Sequence, residues 1–109
     1  MKVLVIIVSY NFERWINRCL GSLRKSSHPI DVMVIDNGSK DRSVDIIKND
    51  FPEVRLVETG KNLGFGRANN IGLKFALDEG YDFAFLLNQD AWIDDNTIKI
   101  LVETAQIHP

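Results

Sequence analysis

The chain has 109 residues, a formal net charge of −2 and 45% hydrophobic residues. This length is typical of one domain, and the composition excludes a disordered, collagen-like or coiled-coil protein. With 13 basic and 15 acidic residues, the chain lacks the positive charge that non-specific binding to DNA or RNA requires. The apolar run at residues 3–8 is too short for a membrane span or a secretory signal.

Apolar runs alternate with amphipathic segments from the first residues onward. Residues 3–8 form a continuous run rich in β-branched side chains, which predicts a strand covered on both faces. An apolar stripe at helical spacing follows it and predicts a helix. The stripe consists of Trp15, Ile16, Cys19, Leu20 and Leu23. Asn11 lies where it caps or precedes this helix.

The second unit has a strand at residues 32–35 and a helix at about 41–49. Between them lies the turn sequence Asp36-Asn37-Gly38-Ser39, and Asp41 is better placed to cap the helix than to contact a ligand. The third strand, residues 54–58, alternates apolar and polar side chains. Alternation predicts a strand that is less buried and lies towards an edge of the sheet.

A glycine-rich loop at residues 59–66 precedes a third helix that ends at Gly80. A fourth strand follows at residues 83–87, and Asp94 is predicted to cap the last helix. Strands that alternate with helices in this way predict βαβ units. The expected fold class is α/β, with a mostly parallel, Rossmann-like sheet of about four strands and helices on both faces.

Polar side chains follow each of the four predicted strands. In an open parallel sheet, ligands bind beyond the carboxyl ends of the strands, so these four groups are expected to meet at one edge. Their convergence is the main indication of a binding site. The candidate site residues are Ser9, Tyr10, Asn11, Asp36, Asn37, Arg67, Asn88, Gln89 and Asp90.

Three of these residues have side chains suited to a nucleotide or a metal ion, and each has a structural alternative. The carboxylate of Asp36 can accept an N–H of a base or a ribose hydroxyl, or it can close an Asx turn. The guanidinium of Arg67 can bind a base or a phosphate, or it can be a solvated residue at a helix start. Asp90 can hold Mg²⁺ or Mn²⁺ together with phosphate oxygens, with Asn88 as a neutral oxygen donor, or the two can form a turn.

Other motifs are weaker. Residues 64–69 resemble a dinucleotide fingerprint, but they follow the third strand and Asn69 replaces the final glycine. A receiver-like phosphoacceptor domain needs an acidic pair after the first strand, which this chain lacks. Cys19 lies on the apolar stripe and is expected to be a small core residue. His28 and His108 have no metal-ligand spacing and are expected at the surface.

In order and spacing, four segments resemble the amino-terminal half of the inverting family 2 glycosyltransferases, which have the GT-A fold. The segments are VIIVSYN at 5–11, VIDNGSxD at 34–41, NLGFGRANNIG at 62–72 and FLLNQD at 85–90. The third and fourth segments look most like the branch that contains many rhamnosyltransferases of polysaccharide assembly.

The resemblance implies a nucleotide-diphosphate sugar donor and a Mg²⁺ or Mn²⁺ cofactor. Ser9, Tyr10 and Asn11 would line the nucleoside pocket, with Asn37 and Gln89 in the same site. Asp36 would accept a pyrimidine N–H, which favours UDP or dTDP. Carried over by position, Arg67 would lie beside the base or the phosphates, and Asp90 would bind the metal ion. Asn88 stands where many relatives have an aspartate.

In such an enzyme an acceptor hydroxyl attacks the anomeric carbon, helped by a general base. The family places that base and most of the acceptor site in the carboxyl-terminal half, so no catalytic residue is expected within residues 1–109. The whole enzyme would use a saccharide or lipid-linked acceptor in the cytoplasm, with any membrane association residing outside this chain. A homodimer is also expected, because a sheet cut at this point leaves an open edge. The alternative is a non-catalytic module of the same fold that binds a nucleotide or a partner protein.

Overall fold

The computed structural model of the chain describes residues 1–107, so the surface position predicted for His108 lies outside the described residues. Four strands alternate with four helices in this part of the chain. They are β1 (Val3–Ser9), α1 (Ile16–Arg24), β2 (Asp31–Asp36), α2 (Ser43–Asp50), β3 (Arg55–Glu58), α3 (Phe65–Asp78), β4 (Phe83–Leu86) and α4 (Thr97–Ile107). Among these residues, no helix combines the length and the apolar character that crossing a membrane requires.

The strands form one parallel sheet in the order β3-β2-β1-β4. Ser9 at the end of β1 is in register with Asp36 at the end of β2, and Asp36 is in register with Glu58 of β3. The carboxyl ends of these strands therefore lie side by side. The predicted α/β fold class is confirmed, and so is the edge position of β3.

Helices cover both faces of the sheet. On one face, α1, α2 and α4 pack on the odd-numbered residues of β1, whereas α3 packs on the even-numbered residues. The helix α3 lies very close to the sheet at Gly72, because a Cβ built there would be 2.6 Å from Cγ2 of Ile6. Glycine at position 72 thus sets the distance between α3 and β1.

The predicted helix starts are confirmed for Asp41 and Asn11 and wrong for Asp94. Asp41 does bind the start of α2, since its Oδ1 accepts hydrogen bonds from the backbone N–H and the hydroxyl of Ser43. The cap predicted for Asp94 is wrong, because the backbone of Asp94 makes the contact with α4. Its N–H donates to Oγ1 of Thr97, and its carbonyl accepts the N–H of Thr97. Asn11 precedes α1 by several residues, and its φ is +50°.

Candidate functional site

A cavity of about 380 Å³ lies at the carboxyl ends of the strands, a volume within the usual range for small-ligand sites. Side chains from all four strand-end segments line it. The lining residues are Val8, Tyr10, Trp15, Asn37, Asn62, Phe65, Asn88, Gln89 and Asp90. A cleft of about 460 Å³ near Asp31 and Tyr81 lies at the opposite end of the sheet, where open parallel sheets do not usually bind ligands.

Asp36 organises the first two strand ends from a buried position. It is 3% exposed, and its Oδ1 accepts hydrogen bonds from the hydroxyls of Ser9, at 3.0 Å, and Ser39. Its Oδ2 accepts the backbone N–H of Ser39 at 2.9 Å. Three donors within the chain therefore occupy most of this carboxylate, and it lies behind the cavity rather than on its wall.

Asn11 joins the loop after β1 to the loop after β2. Its backbone N–H donates to Oγ of Ser39, and its Oδ1 accepts the N–H of Lys40, each at 2.9 Å. The N–H of Glu13 donates to the carboxylate of Asp41 at 3.2 Å. Although burial alone would raise the pKa of Asp41, the hydrogen bonds from Ser43 and Glu13 hold it below its ordinary value. The two loops are thus tied together along their length.

Asn37 ties the second strand end to the glycine-rich loop after β3. Its Oδ1 accepts the N–H of Leu63 at 3.0 Å, and its Nδ2 donates to Oδ1 of Asn62 at 3.1 Å. Nδ2 also lies 3.3 Å from the carbonyl oxygen of Gly64. These contacts fix the shape of the loop that carries Asn62 into the cavity wall.

Gln89 ties the fourth strand end to the first. Its Oε1 accepts the backbone N–H of Tyr10 at 2.9 Å, and its Nε2 donates to the carbonyl of Tyr10 at 3.2 Å. Tyr10 is 39% exposed and lines the cavity. The backbone of this residue is therefore held on both its donor and its acceptor side.

Asp90 is the only charged residue among those that line the cavity. A carboxylate with a neighbouring amide oxygen, from Asn88, suits Mg²⁺ or Mn²⁺ when phosphate oxygens complete the coordination. No group of three His, Cys, Asp or Glu side chains that could hold a metal ion occurs within residues 1–107. These residues therefore fit a metal ion that arrives with a diphosphate, and they do not form a complete protein cage.

The structure gathers most of the predicted site residues at one rim, but it assigns them different positions. Tyr10, Asn37, Asn88, Gln89 and Asp90 line the cavity, whereas Ser9, Asn11 and Asp36 support the loops behind it. Arg67 is exposed in the first turn of α3 and is not part of the lining.

Sequence reasoning missed four lining residues: Val8, Trp15, Asn62 and Phe65. Phe65 is 60% exposed, and the available signal was an aromatic side chain between two glycines in an otherwise polar loop. Trp15 lies on the apolar stripe that predicts α1, and helical spacing does not distinguish a core residue from one that lines a cavity at the end of the core.

Comparison with known proteins agrees with this geometry. The model of the family described as glycosyl transferase family 2 matches residues 4–109. An uncharacterized glycosyltransferase of Nostoc sp. is 35% identical over 97% of this chain and 33% of its own length. The N-acetylglucosaminyl-diphospho-decaprenol L-rhamnosyltransferase of Mycobacterium tuberculosis is 32% identical over 96% of this chain and 37% of its own length.

A solved structure shows the same fold. The crystal structure of Staphylococcus aureus TarS 1–349 in complex with UDP-GlcNAc superposes with a TM-score of 0.87 and 28% identity, covering 99% of this chain and 32% of that one. The expected α/β fold of the GT-A glycosyltransferases is thereby confirmed. The chain spans about a third of the length of the relatives described here. Because the family model matches residues 4–109, nearly the whole chain, the chain belongs to glycosyl transferase family 2.

Proposed function

We propose that this chain is the part of a glycosyltransferase that binds a nucleotide-diphosphate sugar of the UDP or dTDP type, together with a divalent cation. The observation that carries the proposal is the cavity at the strand ends, where polar segments from all four strands meet. This is where open parallel sheets bind nucleotides. The TarS structure, which contains UDP-GlcNAc, supports the same class of donor.

The aromatic side chains of Tyr10 and Phe65 are the proposed contacts for the nucleoside. Both are partly exposed and both line the cavity, so each offers a ring face for stacking on a base. Asn37 is proposed to contribute to the same wall. The contact between Asp36 and a pyrimidine N–H stays a prediction; three hydrogen bonds already made by this carboxylate favour a supporting role, shared with Ser9 and Asn11.

Asp90 and Asn88 are the proposed holders of Mg²⁺ or Mn²⁺. A diphosphate is strongly negative, and the one formal charge among the cavity-lining residues is also negative. Diphosphate binding here therefore requires a cation to offset the repulsion. When bound, a divalent cation neutralises charge on the leaving diphosphate. Arg67 lies at the start of α3 and is proposed to add a further positive charge near the phosphates.

The remainder of the reaction is assigned to residues outside this chain. We propose that residues 1–109 form the donor-binding part of a longer enzyme, and that the general base and the acceptor site lie in the rest of it. The name of the mycobacterial relative supports a lipid-linked acceptor in polysaccharide or glycoconjugate assembly. We also propose a cytoplasmic location, which fits a chain whose single cysteine cannot form an internal disulfide.

Calorimetry on the 109-residue chain tests the proposal. UDP, dTDP and GDP are titrated in the presence of Mn²⁺, and the two pyrimidine nucleotides are expected to bind more tightly than GDP. The Tyr10→Ala variant is expected to weaken binding, whereas Leu77→Ala, at a strongly exposed position near the end of α3, provides the control. Absence of heat with all three nucleotides would refute the proposed donor site.

A further inference from the structure

Gln89 lies between the two proposed metal-binding residues, Asn88 and Asp90, yet its side chain turns back to a residue 79 positions earlier in the chain. Its amide oxygen accepts the N–H of Tyr10, and its amide nitrogen donates to the carbonyl of Tyr10. The side-chain amide thus forms the same pair of hydrogen bonds with Tyr10 that a backbone residue forms with its partner in an antiparallel sheet. The side chain of Gln89 therefore links the segments that follow β1 and β4, beyond the last backbone hydrogen bond between these strands.

The backbone connection between β1 and β4 ends before the site begins. The register of these strands runs as far as Ile6 and Leu86, and the last backbone hydrogen bond joins the N–H of Leu87 to the carbonyl of Ile6. In the described part of the chain, the hydrogen bonds that link residues 88–90 to the loop after β1 are those of Gln89. On its other side this loop is anchored to the loop after β2 through Asn11.

We propose that Gln89 is a positioning residue that couples the metal-binding segment, residues 88–90, to the nucleoside-binding residue Tyr10. The inference rests on the proposed function, because it takes residues 88–90 to bind the metal ion and the diphosphate, and Tyr10 to bind the nucleoside. An ion and a diphosphate that order residues 88–90 also order Tyr10 through the two hydrogen bonds. Coupling of this kind is reciprocal, so a bound nucleoside also tightens the hold on the metal–diphosphate end.

Hydrogen exchange of the backbone amide of Tyr10, followed by NMR, tests the coupling in the 109-residue chain. The probe is Mg²⁺ with inorganic pyrophosphate, which supplies the metal and the diphosphate but no nucleoside. In the wild type, the probe is expected to slow exchange at Tyr10. Gln89→Met keeps the size of the side chain but removes both hydrogen bonds. Without the probe, exchange of the Tyr10 amide in this variant is expected to be roughly tenfold faster, which corresponds to the free energy of the one hydrogen bond that this N–H loses.

The variant also separates positioning from direct contact with the ligand. In Gln89→Met the probe is expected to bind but to leave exchange at Tyr10 unchanged, whereas Gln106→Met, at an exposed position in α4, is expected to behave as the wild type. A direct ligand contact would weaken probe binding without changing Tyr10 exchange in the free protein. If Gln89→Met does not fold, Gln89→Asn, which is too short to reach both backbone groups, replaces it.

Three results would overturn the proposal. Equal exchange at Tyr10 in the free wild type and the free variant would show that the two hydrogen bonds of Gln89 do not hold this residue. If the bound probe slows exchange at Tyr10 equally in both proteins, the proposed coupling through Gln89 is refuted, whereas the proposed metal site is not. Failure of the probe to bind the wild type would refute the metal site and the coupling together, while nucleotide titrations would still report on the nucleoside pocket.

Discussion

Asp36 joins the ends of β1 and β2 through a buried carboxylate that faces three hydrogen-bond donors from Ser9 and Ser39. Asp36→Asn turns one of its oxygens into a donor and leaves buried donors unpaired. We expect a loss of about 2 kcal/mol in the free energy of unfolding, the range for a buried unsatisfied group. Urea unfolding followed by tryptophan fluorescence measures it, with the exposed Asp95→Asn as the control. Equal stability of the two variants would contradict the buried role.

Cys19 is buried against the sheet, and its thiol is expected to be inert. Burial, and to a smaller degree the negative charge of Asp90, raises the pKa of this thiol from 9.0 to about 12. At pH 8 a thiol-specific reagent should therefore react slowly with the native chain and rapidly in urea. Because the pKa is higher in the folded state, the thiol's contribution to stability is complete below pH 9 and is lost between pH 9 and 12. Fast labelling of the native protein at pH 8 would contradict this.

The side chains at the rim show which part of a binding site can be predicted from the sequence. Polar residues after each strand correctly indicated where the cavity lies, because parallel strands end together. The residue types did not indicate which side chains face the cavity, since Asn, Asp, Ser and Gln bind ligands and close loops with the same groups. The deciding partners are remote in sequence: Ser9 and Asp36 are separated by 27 positions, and Tyr10 and Gln89 by 79.

At the scale of the elements, Gly72 fixes how closely α3 lies on β1. In Gly72→Ala the new Cβ would be 2.6 Å from the buried side chain of Ile6, and overpacking of this kind costs about 1–3 kcal/mol. Gly66, in the same helix, has no atom within 4 Å of a Cβ built on it. Thermal unfolding should show a lower Tm for Gly72→Ala and an equal or higher Tm for Gly66→Ala. A Gly72→Ala variant as stable as Gly66→Ala would contradict the close packing.

The order and type of the helices and strands could be predicted because each has a clear pattern of apolar and polar residues. The alternation at residues 54–58 correctly placed β3 at an edge, and the continuous run in β1 correctly indicated burial on both faces. Helix starts were less predictable. Asp94 has the right residue type for a side-chain cap, but the backbone geometry of the turn before α4 brings its main chain to Thr97 instead.

At the scale of the whole molecule, β4 is an outer strand of the sheet, and exposed leucines lie on both β4 and α3. Leu86 of β4 is 48% exposed and Leu77 of α3 is 81% exposed. Open edges and apolar patches favour association, so we expect the chain to form a dimer at high concentration. Sedimentation velocity over a concentration series measures this, and Leu86→Lys is expected to shift the chain towards monomer. A wild type that stays monomeric throughout would contradict the expected homodimer.

The most direct test of the donor site is the metal dependence of nucleotide binding. Calorimetric titration of UDP into the 109-residue chain, with and without Mn²⁺, is compared for the wild type, Asp90→Asn and the exposed Asp95→Asn. We predict that Mn²⁺ tightens UDP binding to the wild type and to Asp95→Asn by at least tenfold, and that Asp90→Asn loses this gain. UDP binding that is unaffected by Mn²⁺, or equal metal dependence in all three proteins, would contradict the assignment of Asp90 and of the cavity it lines.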